Sequence, residues 1–241
     1  MKKTFFLTIA LVLLCGASFR AEAQDADAVL DRYGRVSGFD GVDLTKTAVM
    51  TRLKVSAMGM EIPCTSIVAP GDRMRAEMTV NGQKVELVVS DGKGWMSVPG
   101  AGVQPIPEQQ LAQMSGQYDF VSSLKWNKDE YDLTLLPALE EKGKQYDGVR
   151  AVPKEPSEIQ YSDIYFDHLT GLLAFMDVPV EAAGQKVTVR TVFSQYKTSA
   201  SGVKYPSQIK ATMDGAPVST VLIEALEMDY PVTDEMFAQP K

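Results

Sequence analysis

Residues 72–99, DRMRAEMTVNGQKVELVVSDGKGWMSVP, contain three short runs of alternating side chains that two turn signals separate. Asn81-Gly82 between alternating runs is the strongest short-range signal for a β-hairpin, because a type I′ turn requires a positive φ at both central residues. A second turn signal, Asp-Gly-Lys-Gly at 91–94, precedes a third run that starts at Trp95. The stretch therefore predicts a meander of three antiparallel strands.

Alternation gives this meander one apolar and one polar side, since successive side chains of a strand point to opposite faces. Arg73, Arg75 and Glu77 fall on the polar side, and Val88 breaks the pattern. We predict that the polar side is largely wet. The apolar side comprises Met74, Ala76, Met78, Val80, Val85, Leu87 and Val89.

The first 23 residues have the features of a secretory signal peptide. Two lysines precede an apolar run that ends at Cys15, and Ala21-Glu22-Ala23 offers small residues at the spacing that signal peptidase reads. The run is too short for a transmembrane helix, and Leu14 argues against lipidation of the next residue. We expect cleavage after Ala23 and a soluble periplasmic protein.

Cleavage leaves 218 of the 241 residues, and the formal charge of −7 becomes −9 because the removed segment carries a net +2. A chain of this length buries a full core and is commonly one domain, which we place at residues 24–241. An acidic chain without a basic run argues against nucleic acid or an anionic membrane as partner. Cys64 is then the only cysteine, which excludes an intramolecular disulfide and predicts a buried core residue.

Hydrophobic periodicity predicts two helical regions and many strands. Asp25–Val36 has helical spacing and ends before Gly38, and Glu108–Leu124 has similar spacing, whereas a loop is expected at 100–107. About eleven strands at even spacing indicate a mainly β (α+β) fold. We predict a single, strongly curved antiparallel sheet with helices packed on its concave face.

Residue types that support catalysis are sparse in this chain. His168 is the only histidine, no Gly-x-Ser-x-Gly motif occurs, and the single histidine and single cysteine cannot make a catalytic zinc site. Asp163 and Asp167 share one face of a predicted strand and could act as acid and base or hold a hard cation. A solvated strand face is the simpler interpretation, so we expect no enzyme, cofactor or metal.

The methionines point to a different kind of site. Seven of the twelve lie between Met50 and Met114, and methionine suits a surface that adapts to variable apolar ligands, although core filling also explains the residues. A curved sheet under two helical regions leaves a concave apolar space of the kind that ligands occupy. A sixteen-carbon acyl chain gains roughly 12 kcal/mol there at ~0.8 kcal/mol per buried methylene. The pattern therefore favours a lipid over a polar metabolite.

The order of these features resembles the LolA/LolB-like superfamily of periplasmic outer-membrane lipoprotein-sorting carriers, over nearly the whole mature chain. The segments of resemblance are Pro70–Met78, Val-Val-Ser-Asp-Gly-Lys at 88–93 with Trp95, Val-Ser-Gly-Phe at 36–39, and shorter patterns at 166–173 and 234–240. The resemblance implies an incomplete β-barrel closed by helices around a cavity that takes acyl chains. In carriers of this type an arginine precedes the proline of the turn and helps to hold a lid, whereas Ala69 precedes Pro70 here.

The leading hypothesis is a periplasmic carrier or binding protein for lipoprotein acyl chains or other lipids, which we expect to be a monomer. The alternative is an interaction or sensor module that binds a membrane-anchored envelope protein through the same half-barrel. A third possibility is an enzyme acting at Asp163 and Asp167. The predicted cavity residues are Val49, Leu53, Val55, Met74, Met78, Val80, Leu87, Val89, Trp95, Met114 and Phe193.

Overall fold

The structure is a computed structural model, and it describes residues 25–57, 59–107, 110–111, 120–157, 159–182 and 184–240, without the side chain of residue 182. The predicted signal peptide lies outside these residues. So do Met114 and most of the predicted helix at 108–124.

Helix α1, Ala26–Ser37, begins and ends one residue later than the predicted Asp25–Val36. The Asp25 carboxylate caps it by accepting a hydrogen bond of 2.7 Å from the Ala28 amide. Gly38 ends it with a φ of 83°, a conformation that glycine adopts without steric cost. Val29, Leu30 and Tyr33 form its buried stripe.

The described residues form thirteen strands in one antiparallel sheet. The predicted count of about eleven was therefore too low. The strands are β1 (Val49–Ala57), β2 (Met60–Ala69), β3 (Arg73–Val80), β4 (Gln83–Ser90), β5 (Lys93–Val98), β6 (Gly102–Ile106), β7 (Tyr131–Glu141), β8 (Lys144–Pro153), β9 (Ser162–Asp167), β10 (Leu173–Ala182), β11 (Gln185–Thr198), β12 (Lys204–Met213) and β13 (Ala216–Met228).

The sheet is open, because its edge strands β6 and β7 do not pair with each other. The order is β6-β5-β4-β3-β2-β1-β13-β12-β11-β10-β9-β8-β7, so the first and last strands pair in the middle. The chain runs outward from β1 to the edge at β6, crosses to the other edge at β7, and returns to the centre. Residues 107–130 are this crossing segment.

Helix α1 lies on one side of the sheet, where it contacts β7, β8 and β12. Strands β8 and β12 are four positions apart in the sheet, which is about 19 Å on a flat sheet. We call this side of the sheet the helix face and the opposite side the outer face.

The main core lies between α1 and the helix face, and we call it the core cluster. Tyr33 packs against Phe39 and Phe166, with ring centroids 6.4 and 5.3 Å apart. Its buried members are Ala26, Val29, Leu30, Tyr33, Phe39, Val49, Val121, Leu124, Val149, Ala151, Ile164, Phe166, Leu173, Val203, Tyr205, Ile223 and Leu226.

Two local predictions around the meander were wrong. The second turn contains only Asp91 and Gly92, with φ values of 53° and 70°, so β5 begins at Lys93 rather than at Trp95. The segment 100–107, predicted as a loop, contains the edge strand β6. Pro105 is tolerated there because an edge strand has no ladder partner on one side. Asn81 and Gly82, at φ 50° and 76°, form the predicted hairpin turn.

Candidate functional site

A second apolar cluster lies on the helix face of β3–β6, beside the core cluster. Its buried members are Met74, Ala76, Leu87, Val89 and Ile106, and half-buried Val68, Met96 and Leu111 pack against it. The sequence interpretation missed Val68, Met96, Ile106 and Leu111. The two-residue turn at 91–92 was the available signal for Met96, because it fixes the register of β5 against β4.

Gly94 makes room for Leu111 in this second cluster. A Cβ on Gly94 would lie 2.3 Å from Leu111 Cδ2 and 3.3 Å from Ile106 Cβ. Because glycine has no side chain, Leu111 can pack directly on the β5 backbone. A hollow of about 280 Å³ borders the cluster at this edge of the sheet.

Both described ends of the crossing segment lie over the helix face. Leu111 packs against the second cluster, and Val121 and Leu124 are buried in the core cluster. The apolar surface of the sheet therefore lies beneath α1 and the two ends of this segment. This surface is the candidate site.

Most predicted cavity residues lie on the helix face, at different depths. Val49, Met74, Leu87 and Val89 are buried, with exposed fractions of 3, 4, 0 and 8 %. Phe193 and Leu53 are half-buried against the core cluster. The half-buried side chains of Val55, Met78 and Val80 share this face by register and alternation.

Trp95 was wrongly assigned to the cavity. It pairs with Val88, whereas Met96 pairs with Leu87, so its indole lies on the outer face. The error comes from the length of the second turn, since a shift of one residue moves every side chain to the other face. There Trp95 packs in an outer cluster of buried Ala48, Ala69, Val88 and Phe237 with half-buried Ile67, Val232 and Met236.

The C-terminal segment covers this part of the outer face, which is therefore not wet as predicted. Arg73 donates to Asp234 at 2.8 Å, and its guanidinium carbon lies 4.9 Å from the centre of the Phe237 ring. Arg75 donates to the Met236 carbonyl at 3.0 Å. Both arginines near the Ala69-Pro70 turn thus hold the chain terminus rather than an element on the helix face.

The remaining outer face of β1–β4 is polar. A groove of about 370 Å³ is lined by Arg52, Thr65 and Thr79 of this face, and its lining also includes Leu53, Cys64 and Met78. Its charges are paired, with Lys84 2.9 Å from Glu77, and Lys54 3.0 Å from Glu224.

Helix α1 is bound to the sheet through Arg32 and the β9–β10 turn. Arg32 Nη2 donates to the carbonyls of His168 and Leu169 at 2.8 and 3.1 Å, and Nη1 lies 3.4 Å from Asp147 Oδ2. Asp147 also lies 2.8 Å from His168 Nδ1. The only histidine therefore belongs to a structural contact at the end of the helix.

Asp163 and Asp167 do not form a shared site. Asp163 accepts two hydrogen bonds from Arg150, at 2.7 and 2.8 Å. Asp167 accepts from the amides of Leu169 and Thr170, at 3.1 and 2.9 Å, inside its own turn. Each carboxylate is thus committed to a different local contact. Within the described ranges, no group of three or more His, Cys, Asp or Glu side chains could hold a metal ion.

Cys64 is buried on the helix face between Leu53 of β1 and Met78 of β3, as the sequence predicts for a core residue. Burial raises the pKa of its thiol to about 11. Burial also raises the pKa of Tyr33 well above its usual range. In the part of the chain that the structure describes, no helix has the length and apolar character to cross a membrane.

No protein-family model and no curated protein matches the sequence. Solved structures do match. A DUF1329 family protein from Desulfovibrio piger matches with a TM-score of 0.59 at 16% identity, over 88% of this chain and 97% of that one. An outer membrane lipoprotein-sorting protein domain from Vibrio parahaemolyticus has a TM-score of 0.57 at 12% identity, over 88% and 97%. A LolA superfamily protein from Nitrosomonas europaea matches with a TM-score of 0.56 at 12% identity, over 89% of this chain and 97% of that one.

These matches span almost the full length of the other chains, and their identities of 12–16% show likeness of fold alone. The open antiparallel sheet with a helix on one face is therefore a LolA-like fold. The resemblance read from the sequence is confirmed at that level.

Proposed function

We propose that this chain, whose fold is LolA-like, is a periplasmic carrier or binding protein for lipoprotein acyl chains or other lipids. The observation that carries the proposal is the pair of adjacent apolar clusters on the helix face of an open sheet. Two of the structures with the same fold are described as a lipoprotein-sorting domain and a LolA superfamily protein, which supports the choice of ligand.

The proposed activity is non-enzymatic binding and release. An acyl chain enters between the helix face and the elements over it, with the hollow beside Leu111 as its way in. Each buried methylene gains about 0.8 kcal/mol, so a long chain binds tightly with few polar contacts even after the entropy cost of association. Arg73 and Arg75 already hold the C-terminal segment, so release is not coupled to them.

A matched pair of substitutions on β3 tests the proposal. Met78 is half-buried on the helix face, and its neighbour Thr79 is exposed on the outer face. Met78→Glu should weaken binding of a fluorescent acyl probe at least about tenfold, because it buries a carboxylate against the chain. Thr79→Glu should leave binding unchanged. The proposal is wrong if the unmodified protein binds no acyl probe, or if both variants bind as the unmodified protein does.

A second candidate, an interaction module for a membrane-anchored protein, is favoured by Leu169. Its side chain is 87 % exposed at the tip of the β9–β10 turn. Arg32 and Asp167 hold the backbone of this residue, at 3.1 Å each. A photo-crosslinker at position 169 should then capture one envelope membrane protein without lipid, whereas the same group at Val218, an exposed apolar residue of β13, should not.

A further inference from the structure

Two residues with hydroxyl side chains lie next to each other on the helix face of the sheet, within the candidate site. Thr51 of β1 pairs with Ser66 of β2, and both belong to the helix face. Each is 3 % exposed. Directly opposite residues of neighbouring strands have Cβ atoms about 4.5–5.5 Å apart, so one oxygen atom above them is within reach of both hydroxyls.

This pair interrupts an otherwise apolar row across the sheet. The row runs from Leu226 of β13 through Thr51 and Ser66 to Ala76 of β3 and Leu87 of β4. Leu226 belongs to the core cluster, whereas Ala76 and Leu87 belong to the second cluster. The hydroxyls therefore mark the junction between the two apolar surfaces.

Neither hydroxyl has a hydrogen-bond partner among the described residues. The fully enclosed polar side-chain atoms without a partner there are Tyr33 Oη and Trp126 Nε1. Thr51 and Ser66 differ from these atoms in not being fully enclosed, since 3 % of each residue is exposed.

A buried polar group without a partner destabilises a fold by about 1–3 kcal/mol. Valine and alanine would fill the same positions without that cost, as they do elsewhere on this face. Two such hydroxyls side by side on one face of the sheet are therefore explained better by a ligand than by the fold.

We infer that Thr51 and Ser66 form a polar subsite that donates hydrogen bonds to the carbonyl oxygen of an acyl ester or fatty acid. The inference rests on the proposed function and adds to it the position of the ligand's polar group. The hydrocarbon parts of the ligand then lie on the core cluster and the second cluster, on either side of the carbonyl.

The test compares two sixteen-carbon ligands, methyl palmitate and hexadecane, of which only the first has a carbonyl. Each displaces N-phenyl-1-naphthylamine, a dye without a carbonyl, from the unmodified protein and from the Thr51→Val/Ser66→Ala variant. Methyl palmitate should lose affinity about three- to thirtyfold in the variant, the range for one or two neutral hydrogen bonds. The affinity for hexadecane should stay the same. The control Thr65→Val/Thr79→Val, on the outer face of the same region, should change neither affinity.

Stability separates a ligand role from a structural one. The free Thr51→Val/Ser66→Ala variant should unfold at the same or a higher urea concentration than the unmodified protein, because it loses only unpartnered polar groups. A clearly lower midpoint would overturn the inference by giving the hydroxyls a role in the fold. Equal methyl palmitate affinity in both proteins would also overturn it, while leaving the proposed function intact. If the unmodified protein binds neither ligand, the proposed function itself fails.

Discussion

Trp95 lies directly opposite Val88 across the β4–β5 ladder, and both side chains pack in the outer cluster that also contains Phe237 of the C-terminal segment. The next residue, Met96, pairs with Leu87 and faces the candidate site. A tryptophan at position 95 therefore lies on the outer face, whereas a tryptophan at position 96 would lie on the helix face.

This arrangement predicts a face-specific quenching pattern. With Trp126→Phe as background, a fatty acid brominated on its chain should leave the emission of Trp95 nearly unchanged. In the Trp126→Phe/Trp95→Phe/Met96→Trp variant, the new indole lies on the helix face and should be quenched strongly. Steady-state fluorescence during titration measures both. Equal quenching of the two reporters would place the ligand away from the helix face.

The outer cluster predicts a measurable role for Phe237 in stability. Phe237→Ala removes a ring that is 3 % exposed, and such truncations cost about 3–5 kcal/mol. Urea unfolding should show this loss, and the Trp95 emission should shift to longer wavelength in the folded protein. Asp234→Asn is the control, because this fully exposed side chain should contribute little to stability. Unchanged stability in Phe237→Ala would mean that the segment does not stay on the outer face.

Gly94 and Leu111 should be energetically coupled. Gly94→Ala forces Leu111 away from the β5 backbone, and overpacking of this kind costs about 1–3 kcal/mol. In a Leu111→Ala background most of that cost should disappear, because the clashing methyl group is gone. A double-mutant cycle of unfolding free energies measures the coupling. Additive effects would contradict the packing of Leu111 on Gly94.

Cys64 should make stability depend on alkaline pH. Its pKa is raised by burial from 9.0 to about 11 in the folded chain, so between these values the unfolded chain loses the proton while the folded chain keeps it. The contribution of the protonated thiol to the free energy of unfolding is fully present below about pH 9 and is lost as the pH rises toward 11. The loss is about 2–3 kcal/mol, because each unit of pKa difference corresponds to 1.36 kcal/mol.

Comparison with Cys64→Ala isolates the effect of the thiol. Other groups titrate in the same range, but they contribute equally to both proteins. The difference in unfolding free energy between the two should therefore shrink from pH 8.5 to pH 11. Parallel stability curves would show that the thiol is not buried as described.

The features that sequence predicted well are those that nearby residues determine. Helix α1 is defined by its own apolar spacing, its Asp25 cap and Gly38, all within a few residues. The Asn81-Gly82 turn depends on two residues that adopt positive φ. The apolar alternation of β3 and β4 placed all five of their predicted site residues on one face.

The features that sequence analysis missed depend on strand register or on contacts between residues far apart in the sequence. The face of Trp95 follows from the number of residues in the turn before it, and the Asp-Gly-Lys-Gly signal fits two turn lengths. Val88 broke the alternation because the outer cluster that buries it includes Phe237, which is distant in sequence. The meeting of Thr51 and Ser66 likewise follows from the β1–β2 register, which neither segment defines alone.

The pairing of β1 with β13 at the centre of the sheet has a consequence for the order of folding. The hairpins of β1–β6 can form from local contacts, but the central ladder needs a strand that is synthesised after all the others. Contacts between residues so far apart in sequence form slowly, because a long loop must close first. The two halves of the sheet therefore join late. For the exported protein that the sequence predicts, this delay would keep the tertiary structure incomplete until β13 is available.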